Sequence, residues 1–127
     1  MTEEEMVARG KEFFAKCYNG IVPIPEQLPP KSFGELNMKL FNEIWGDDRL
    51  SFRDKRLLVI GLLAGKGADT GMFLIHARAA LQNQEITADE LRAALQVVLF
   101  YAGAPNASTY FIALEKLLAE TEQEAKA

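Results

Sequence analysis

Few residue types in this chain could carry out chemistry, and two of them occur only once. His76 is the single histidine among 127 residues, and Cys17 is the single cysteine. One cysteine cannot form an internal disulfide, a Cys-x-x-Cys redox pair or a four-cysteine zinc site, and one histidine cannot build a multi-histidine metal site. Any histidine-dependent chemistry within one subunit must therefore use His76.

His76 lies in an apolar stretch with helical spacing, residues 73–81. The pattern alone favours a core histidine that hydrogen-bonds a backbone carbonyl, because buried polar groups are almost always paired. The alternative is a general acid/base in a partly buried pocket, since imidazole titrates near neutral pH.

Four cationic residues are candidates to bind an anion. Arg78 follows His76 by two residues, a spacing at which helical side chains point in different directions. Arg78 is therefore either a solvated charge or an anion clamp, in a site shared between subunits. Arg53, Lys55 and Arg56 cluster at a predicted helix start. They could bind a carboxylate, although a surface ion-pair cluster is the more common outcome.

Two further candidates close the second predicted helix. Trp45 is the only tryptophan and is expected to be a packing anchor. Glu43 is either an ordinary surface residue or a carboxylate that orients His76 or relays a proton. The glycines do not have the spacing of a phosphate-binding loop, so nucleotide binding is not predicted.

The elements that must position these residues are predicted to be helices throughout. Apolar residues recur at helical spacing in about six segments, and no alternating strand pattern with hairpin turns occurs. Predicted N-caps are Thr2, Ser32, Ser51, Asp69 or Thr70, and Thr87, which forms with Glu90 the clearest capping box. The last helix is expected to start at Pro105 or Asn106. The sequence thus predicts an all-α fold.

We divide the chain into three parts. Four of the five prolines fall between residues 23 and 30, which predicts an extended segment. Residues 1–31 are therefore expected to form a helix and a proline-rich arm that is not a core element. Residues 32–120 form the helical domain, and residues 121–127 a polar, frayed tail.

Two apolar stripes bear on assembly. The stripe of the second helix comprises Phe33, Leu36, Leu40, Phe41 and Ile44. In the fifth helix, Val97, Leu99 and Phe100 lie off the main stripe of Leu91, Ala94, Leu95, Val98 and Ala102. Because a small domain cannot bury both faces of that helix, we expect the second face to contact another subunit.

The net charge limits the classes of macromolecule that the protein is expected to bind. With 14 Lys+Arg against 18 Asp+Glu, the net charge is −4, which argues against general affinity for nucleic acid or anionic membranes. The longest apolar run, residues 57–65, is too short to span a bilayer, and the acidic N-terminus is unlike a signal peptide. A cytoplasmic location is predicted.

Several stretches match a known pattern. They are Glu-Ile-Trp at 43–45, Leu-Ser-Phe-Arg-Asp-Lys-Arg at 50–56, His-Ala-Arg-Ala-Ala-Leu at 76–81 and Tyr-Ala-Gly-Ala-Pro at 101–105. In this order they resemble the carboxymuconolactone decarboxylase family, a branch of the alkylhydroperoxidase D-like superfamily. The resemblance covers residues 36–118. It implies a single-domain helical bundle that assembles as trimers or hexamers.

The resemblance also separates two activities. The peroxidase branch carries a Cys-x-x-Cys pair shortly before its histidine, and the matching positions here are Asp69 and Met72. Thiol peroxidase chemistry needs both a thiolate and a resolving thiol, so it is excluded. The decarboxylase branch uses no metal or organic cofactor and converts 4-carboxymuconolactone, a small anionic substrate, to the 3-oxoadipate enol-lactone.

For the decarboxylase branch, the resemblance implies roles for the candidate residues. His76 would be the general acid/base, with Glu43 as its partner, and Arg78 or Arg53 would bind the substrate carboxylate. The apolar wall of the site would come from two aromatic residues, Trp45 and Tyr101.

Two departures from the family pattern support an alternative. Asn83-Gln84 stands where the family usually has Asn-Gly, and Gly71 and Met72 stand where acidic residues often precede the histidine. A non-catalytic or ligand-binding oligomer that retains the fold is therefore the second hypothesis. A third, a redox partner that uses Cys17, requires an exposed thiol.

Overall fold

The computed structural model describes residues 1–126, and these form six α-helices and no strand. The all-α prediction and the number of helices are confirmed. The helices are α1 (Glu3–Tyr18), α2 (Phe33–Ile44), α3 (Phe52–Gly65), α4 (Thr70–Gln82), α5 (Ala88–Ala102) and α6 (Ala104–Lys126).

Side-chain caps fix where most of these helices begin. The hydroxyls of Thr2, Ser32, Ser51 and Thr87 each accept a hydrogen bond from the backbone N–H three residues later, at 3.0–3.1 Å. Thr87 and Glu90 complete the predicted capping box. The remaining cap is Asp69, whose carboxylate accepts from the Gly71 backbone N–H. Each cap satisfies a backbone donor that has no partner within its helix.

The chain divides into two compact units, and the division falls within α3. One unit comprises Met1–Lys55, and the other begins at Arg56.

The first unit has its own small core between α1 and α2. Four residues form its buried centre: Phe14, Cys17, Met38 and Phe41. A Cβ atom at Gly10 would overlap the carbonyl of Met38, so only glycine permits this close approach. The helix α1 is therefore a core element of this unit, in contrast to its interpretation as an arm. The proline-rich segment after α1 is not helical, as predicted.

The predicted stripe of α2 does not face this core. Of its five members only Phe41 is buried, while the other four are exposed: Phe33, Leu36, Leu40 and Ile44. The core contact is made by Phe41 together with Met38, which lies outside the predicted stripe and, three residues before Phe41, on the same face of the helix as it. The stripe prediction was wrong because α2 has apolar residues on two faces.

The second unit packs its part of α3 with α4, α5 and α6. Its buried members are Ile60, Ala64, Phe73, Ala77, Ala80, Ile86, Leu91, Leu95, Val98, Ala107, Tyr110, Leu114 and Leu117. Of the main stripe of α5, three residues lie in this core, Leu91, Leu95 and Val98, while Ala94 is half-buried and Ala102 is exposed. Val97, Leu99 and Phe100 are exposed, off the buried stripe, as predicted. The contact of this exposed face with another subunit stays a prediction.

The last helix is longer than predicted. Gly103, at φ 94°, ends α5, and α6 starts directly after it at Ala104. α6 continues to Lys126, so residues 121–126 are helical and not a frayed tail; Ala127 lies outside the described residues. Within residues 1–126, no helix is both long and apolar enough to cross a membrane.

Candidate active site

The centre of the candidate site is a buried polar cluster in the second unit. α4 carries His76 between the core residues Phe73 and Ala77, and only 5% of the His76 surface is exposed. A histidine so placed is expected to form hydrogen bonds with polar groups around it.

Arg56, near the start of α3, bonds this histidine. Its side chain is fully buried, and Nη1 lies 2.9 Å from Nδ1 of His76. A guanidinium can only donate, so Nδ1 is the acceptor and the neutral imidazole carries its proton on Nε2. The partner of Nδ1 is the Arg56 side chain, and a bond from His76 to a backbone carbonyl stays a prediction.

Glu85 bonds the other side of the same guanidinium. Its Oε1 accepts from Nε of Arg56 at 2.7 Å, and its Oε2 accepts from Nη2 at 3.3 Å. The exposed fraction is 0% for the Arg56 side chain and 9% for that of Glu85. Arg56 is therefore one half of a buried ion pair. The more common outcome, a surface ion-pair cluster of Arg53, Lys55 and Arg56, does not hold, because Arg56 and Lys55 are both buried.

The turn that ends α4 brings Glu85 to Arg56. The Gln84 N–H donates to the Leu81 carbonyl at 3.1 Å, and the Glu85 N–H donates to that of Ala80 at 2.9 Å. This is the bond pattern of a Schellman motif, in which the residue after the C-cap adopts left-handed backbone. Gln84 does so at φ 55°. The departure from Asn-Gly at this turn therefore leaves the turn itself intact.

The surroundings of His76 determine its charge. Burial, and secondly the positive charge of Arg56, lower the pKa of His76 from 6.5 to about 4. At neutral pH the ring is therefore neutral, because both effects disfavour the imidazolium. Neutral His76 can donate a hydrogen bond through Nε2 but cannot serve as a positively charged acid.

Arg78 lies apart from this cluster on the same helix. Its Nη1 atom is 3.8 Å from Oε2 of Glu124 on α6, and both side chains are partly exposed. The two-residue spacing turns Arg78 and His76 to different sides of α4, as predicted.

The candidates of the first unit have different environments. Glu43 is exposed on α2, and Arg53 is half-buried in the first turn of α3. Trp45 packs between Phe41, at 6.4 Å between ring centroids, and Phe52, at 5.0 Å. Trp45 is therefore the packing anchor that the sequence predicted. The proposed catalytic and substrate-binding roles of these residues stay predictions.

Two other candidates differ in accessibility. Tyr101 is 82% exposed and lies edge-on to Phe100, with ring centroids 4.9 Å apart. Cys17 is fully buried. The redox hypothesis needed an exposed thiol, so the burial of Cys17 argues against it. No group of three potential ligands among residues 1–126 is placed to hold a metal ion.

Sequence reasoning missed Glu85 altogether. Its partner Arg56 lies 29 residues away, and nothing in the local pattern around either residue links them. The one available signal was the predicted end of α4 at Asn83-Gln84, because a turn there folds the next residue, Glu85, back against the helix.

The fold and the cluster together define a class: all-helical proteins with a buried histidine and no Cys-x-x-Cys pair. The family model described as the carboxymuconolactone decarboxylase family matches residues 30–116. The chain belongs to this family, as its motifs indicated. Neither the curated proteins nor the solved structures provided a match.

Proposed function

We propose that the protein is a cofactor-independent lyase that decarboxylates a carboxylated lactone such as 4-carboxymuconolactone. Membership in the family supports the class of reaction. The observation that carries the proposal to a particular residue is the buried hydrogen bond between Arg56 and Nδ1 of His76.

The reaction builds up negative charge that the site must stabilise. Loss of CO₂ breaks a carbon–carbon bond and leaves its electron pair in the conjugated lactone, with negative charge on the carbonyl oxygen. A proton from water then adds to a ring carbon and gives the enol-lactone. The site must therefore stabilise an oxyanion, and donors aimed at developing charge are commonly a large term in catalysis.

Neutral His76 suits this demand. Because Arg56 donates to Nδ1, the proton is on Nε2, and the carbonyl oxygen of a bound lactone would take over as the acceptor of this N–H group. A lowered pKa keeps the ring in this form at neutral pH. Neutral imidazole polarises a substrate carbonyl in the same way in triosephosphate isomerase. We therefore assign His76 the role of hydrogen-bond donor in place of general acid/base.

A cation is needed for the substrate carboxylate, and Arg78 is one candidate. Its 3.8 Å ion pair with Glu124 is partly exposed, so a substrate anion can replace Glu124. Because Arg78 points away from His76 of its own chain, it would serve a site on a neighbouring subunit of the expected trimer or hexamer. Arg53 is the other candidate, and the resemblance supports Glu43, Trp45 and Tyr101 as further site residues.

The test is turnover of 4-carboxymuconolactone, followed by loss of substrate absorbance, in wild type and two variants. His76→Asn keeps an acceptor for Arg56 but removes the donor at Nε2. We expect its kcat to fall by about 10²–10³-fold. His76→Gln can place an amide N–H near the Nε2 position and should retain more activity. The control is Glu115→Gln on α6, which changes a partly exposed ion pair with Arg92 and no candidate site residue.

Full activity in His76→Asn would overturn the assignment of His76. Absence of turnover in the wild type would exclude this substrate. A second function then becomes the better account, because the bonds among Arg56, Glu85 and His76 also suit a purely structural cross-link between α3 and α4. A non-catalytic ligand-binding oligomer predicts that the lactone raises the melting temperature without being consumed.

A further inference from the structure

The guanidinium of Arg56 is held on two sides by different partners. Glu85 occupies Nε and Nη2 through its two oxygens, and His76 receives the bond from Nη1. A planar group bonded in this bidentate way cannot rotate without losing both contacts. The direction of Nη1 is therefore set by Glu85.

We propose that Glu85 is a positioning residue: it holds Arg56 so that Nη1 donates to Nδ1 of His76, and it thereby keeps the imidazole proton on Nε2. The consequence for turnover rests on the proposed function. The consequence for the tautomer does not, because it follows from the hydrogen bonds alone.

Charge supports the same role. A guanidinium with no exposed surface has lost its hydration, and an unpaired buried charge is strongly destabilising. The carboxylate of Glu85 supplies the opposite charge at 2.7 Å. Without it, Arg56 would turn towards solvent or another acceptor, and Nδ1 of His76 would lose its donor.

The backbone places Glu85 for this task. His76 lies on α4, and the Schellman turn at the end of the same helix returns the chain so that Glu85 meets Arg56. Gln84 holds this turn at φ 55°, a backbone conformation that residues other than glycine seldom adopt. The cluster thus joins His76 on α4 and Glu85 in the turn after α4 to a single residue of α3.

The experiment is ¹⁵N NMR of the imidazole at neutral pH, in which a pyrrole-type and a pyridine-type nitrogen have well-separated shifts. Only one histidine exists, so the signals need no assignment. In the wild type and in Glu115→Gln we expect a single tautomer with the proton on Nε2. In Glu85→Gln we expect a mixture of both tautomers.

Glu85→Asp keeps the charge but is one methylene shorter, so it cannot bond Nε and Nη2 together; it carries the test if Glu85→Gln does not fold. An unchanged, pure Nε2 tautomer in the folded variant would overturn the proposal. If the wild type turns over the lactone, Glu85→Gln should lower kcat at least about tenfold with KM unchanged. A lack of turnover in the wild type would count against the proposed function and leave the tautomer result standing.

Discussion

Replacing Glu85 by glutamine removes the opposite charge from a buried arginine while keeping nearly the same side-chain shape. Arg56 would then be a desolvated cation with one acceptor fewer. Breaking a buried pair from one side costs about 3–5 kcal/mol. For a chain of 127 residues, this corresponds to a decrease of about 10–20 °C in the melting temperature.

The same protein offers a matched control. Arg92 bonds Glu115 through Nε at 2.7 Å and Nη2 at 3.2 Å, nearly the same bidentate geometry as the pair of Arg56 and Glu85. The two pairs differ in burial, because the side chains of Arg92 and Glu115 are both 38% exposed. Arg92 also keeps Asp89, whose Oδ1 lies 2.8 Å from its Nη1, and water can solvate the partly exposed guanidinium, so Glu115→Gln should cause a far smaller decrease.

The assay is urea unfolding followed by circular dichroism, with the free energy of unfolding extrapolated to water for wild type, Glu85→Gln and Glu115→Gln. Equal, small losses in the two variants would refute the reasoning, because Arg56 is fully buried, whereas Arg92 is partly exposed and keeps Asp89. A large loss in Glu115→Gln alone would refute it as well.

The remaining predictions concern pH, backbone and assembly. The pKa of His76 is lowered to about 4 in the folded state, so the unfolded chain binds more protons than the folded chain between pH 6.5 and 4. The free energy of unfolding should therefore fall by about 3 kcal/mol as the pH drops from above 6.5 to 4. Urea unfolding across this range should show a slope that His76→Asn lacks. Gln84→Gly should raise the free energy of unfolding by about 1 kcal/mol, since glycine adopts left-handed backbone without strain; a decrease would contradict the turn geometry. Gly10→Ala should lower it by about 1–3 kcal/mol because the new Cβ meets the Met38 carbonyl, and unchanged stability would contradict this packing. Light scattering at micromolar concentration should give a multiple of 14.1 kDa, and Phe100→Ser should reduce it; a wild-type monomer would refute assembly through this face.

The helices could be predicted because their signals are local. Ser32, Ser51 and Thr87 cap the helices at which the sequence placed them, since a cap depends only on residues three positions apart. The face of α2 could not be predicted in this way. Its spacing allows two apolar faces, and packing against α1 through Met38 decides between them.

The candidate site shows the same limit. His76 was found because it is unique and lies in a specific motif, and burial was the favoured outcome from its apolar neighbours. Arg56 was placed in a surface cluster because charged residues at a helix start are usually solvated. Its burial depends on Glu85, whose approach is a tertiary event across 29 residues. Local pattern therefore locates the histidine but cannot supply its partners.

The most direct test of the account is the titration of His76 in the folded wild-type protein, followed by NMR of its imidazole from pH 8 to pH 3.5. The account predicts a neutral ring with its proton on Nε2 at neutral pH and a pKa of about 4. A pKa near the ordinary value of 6.5 would contradict it, because His76 would then be neither desolvated nor held beside Arg56 as described.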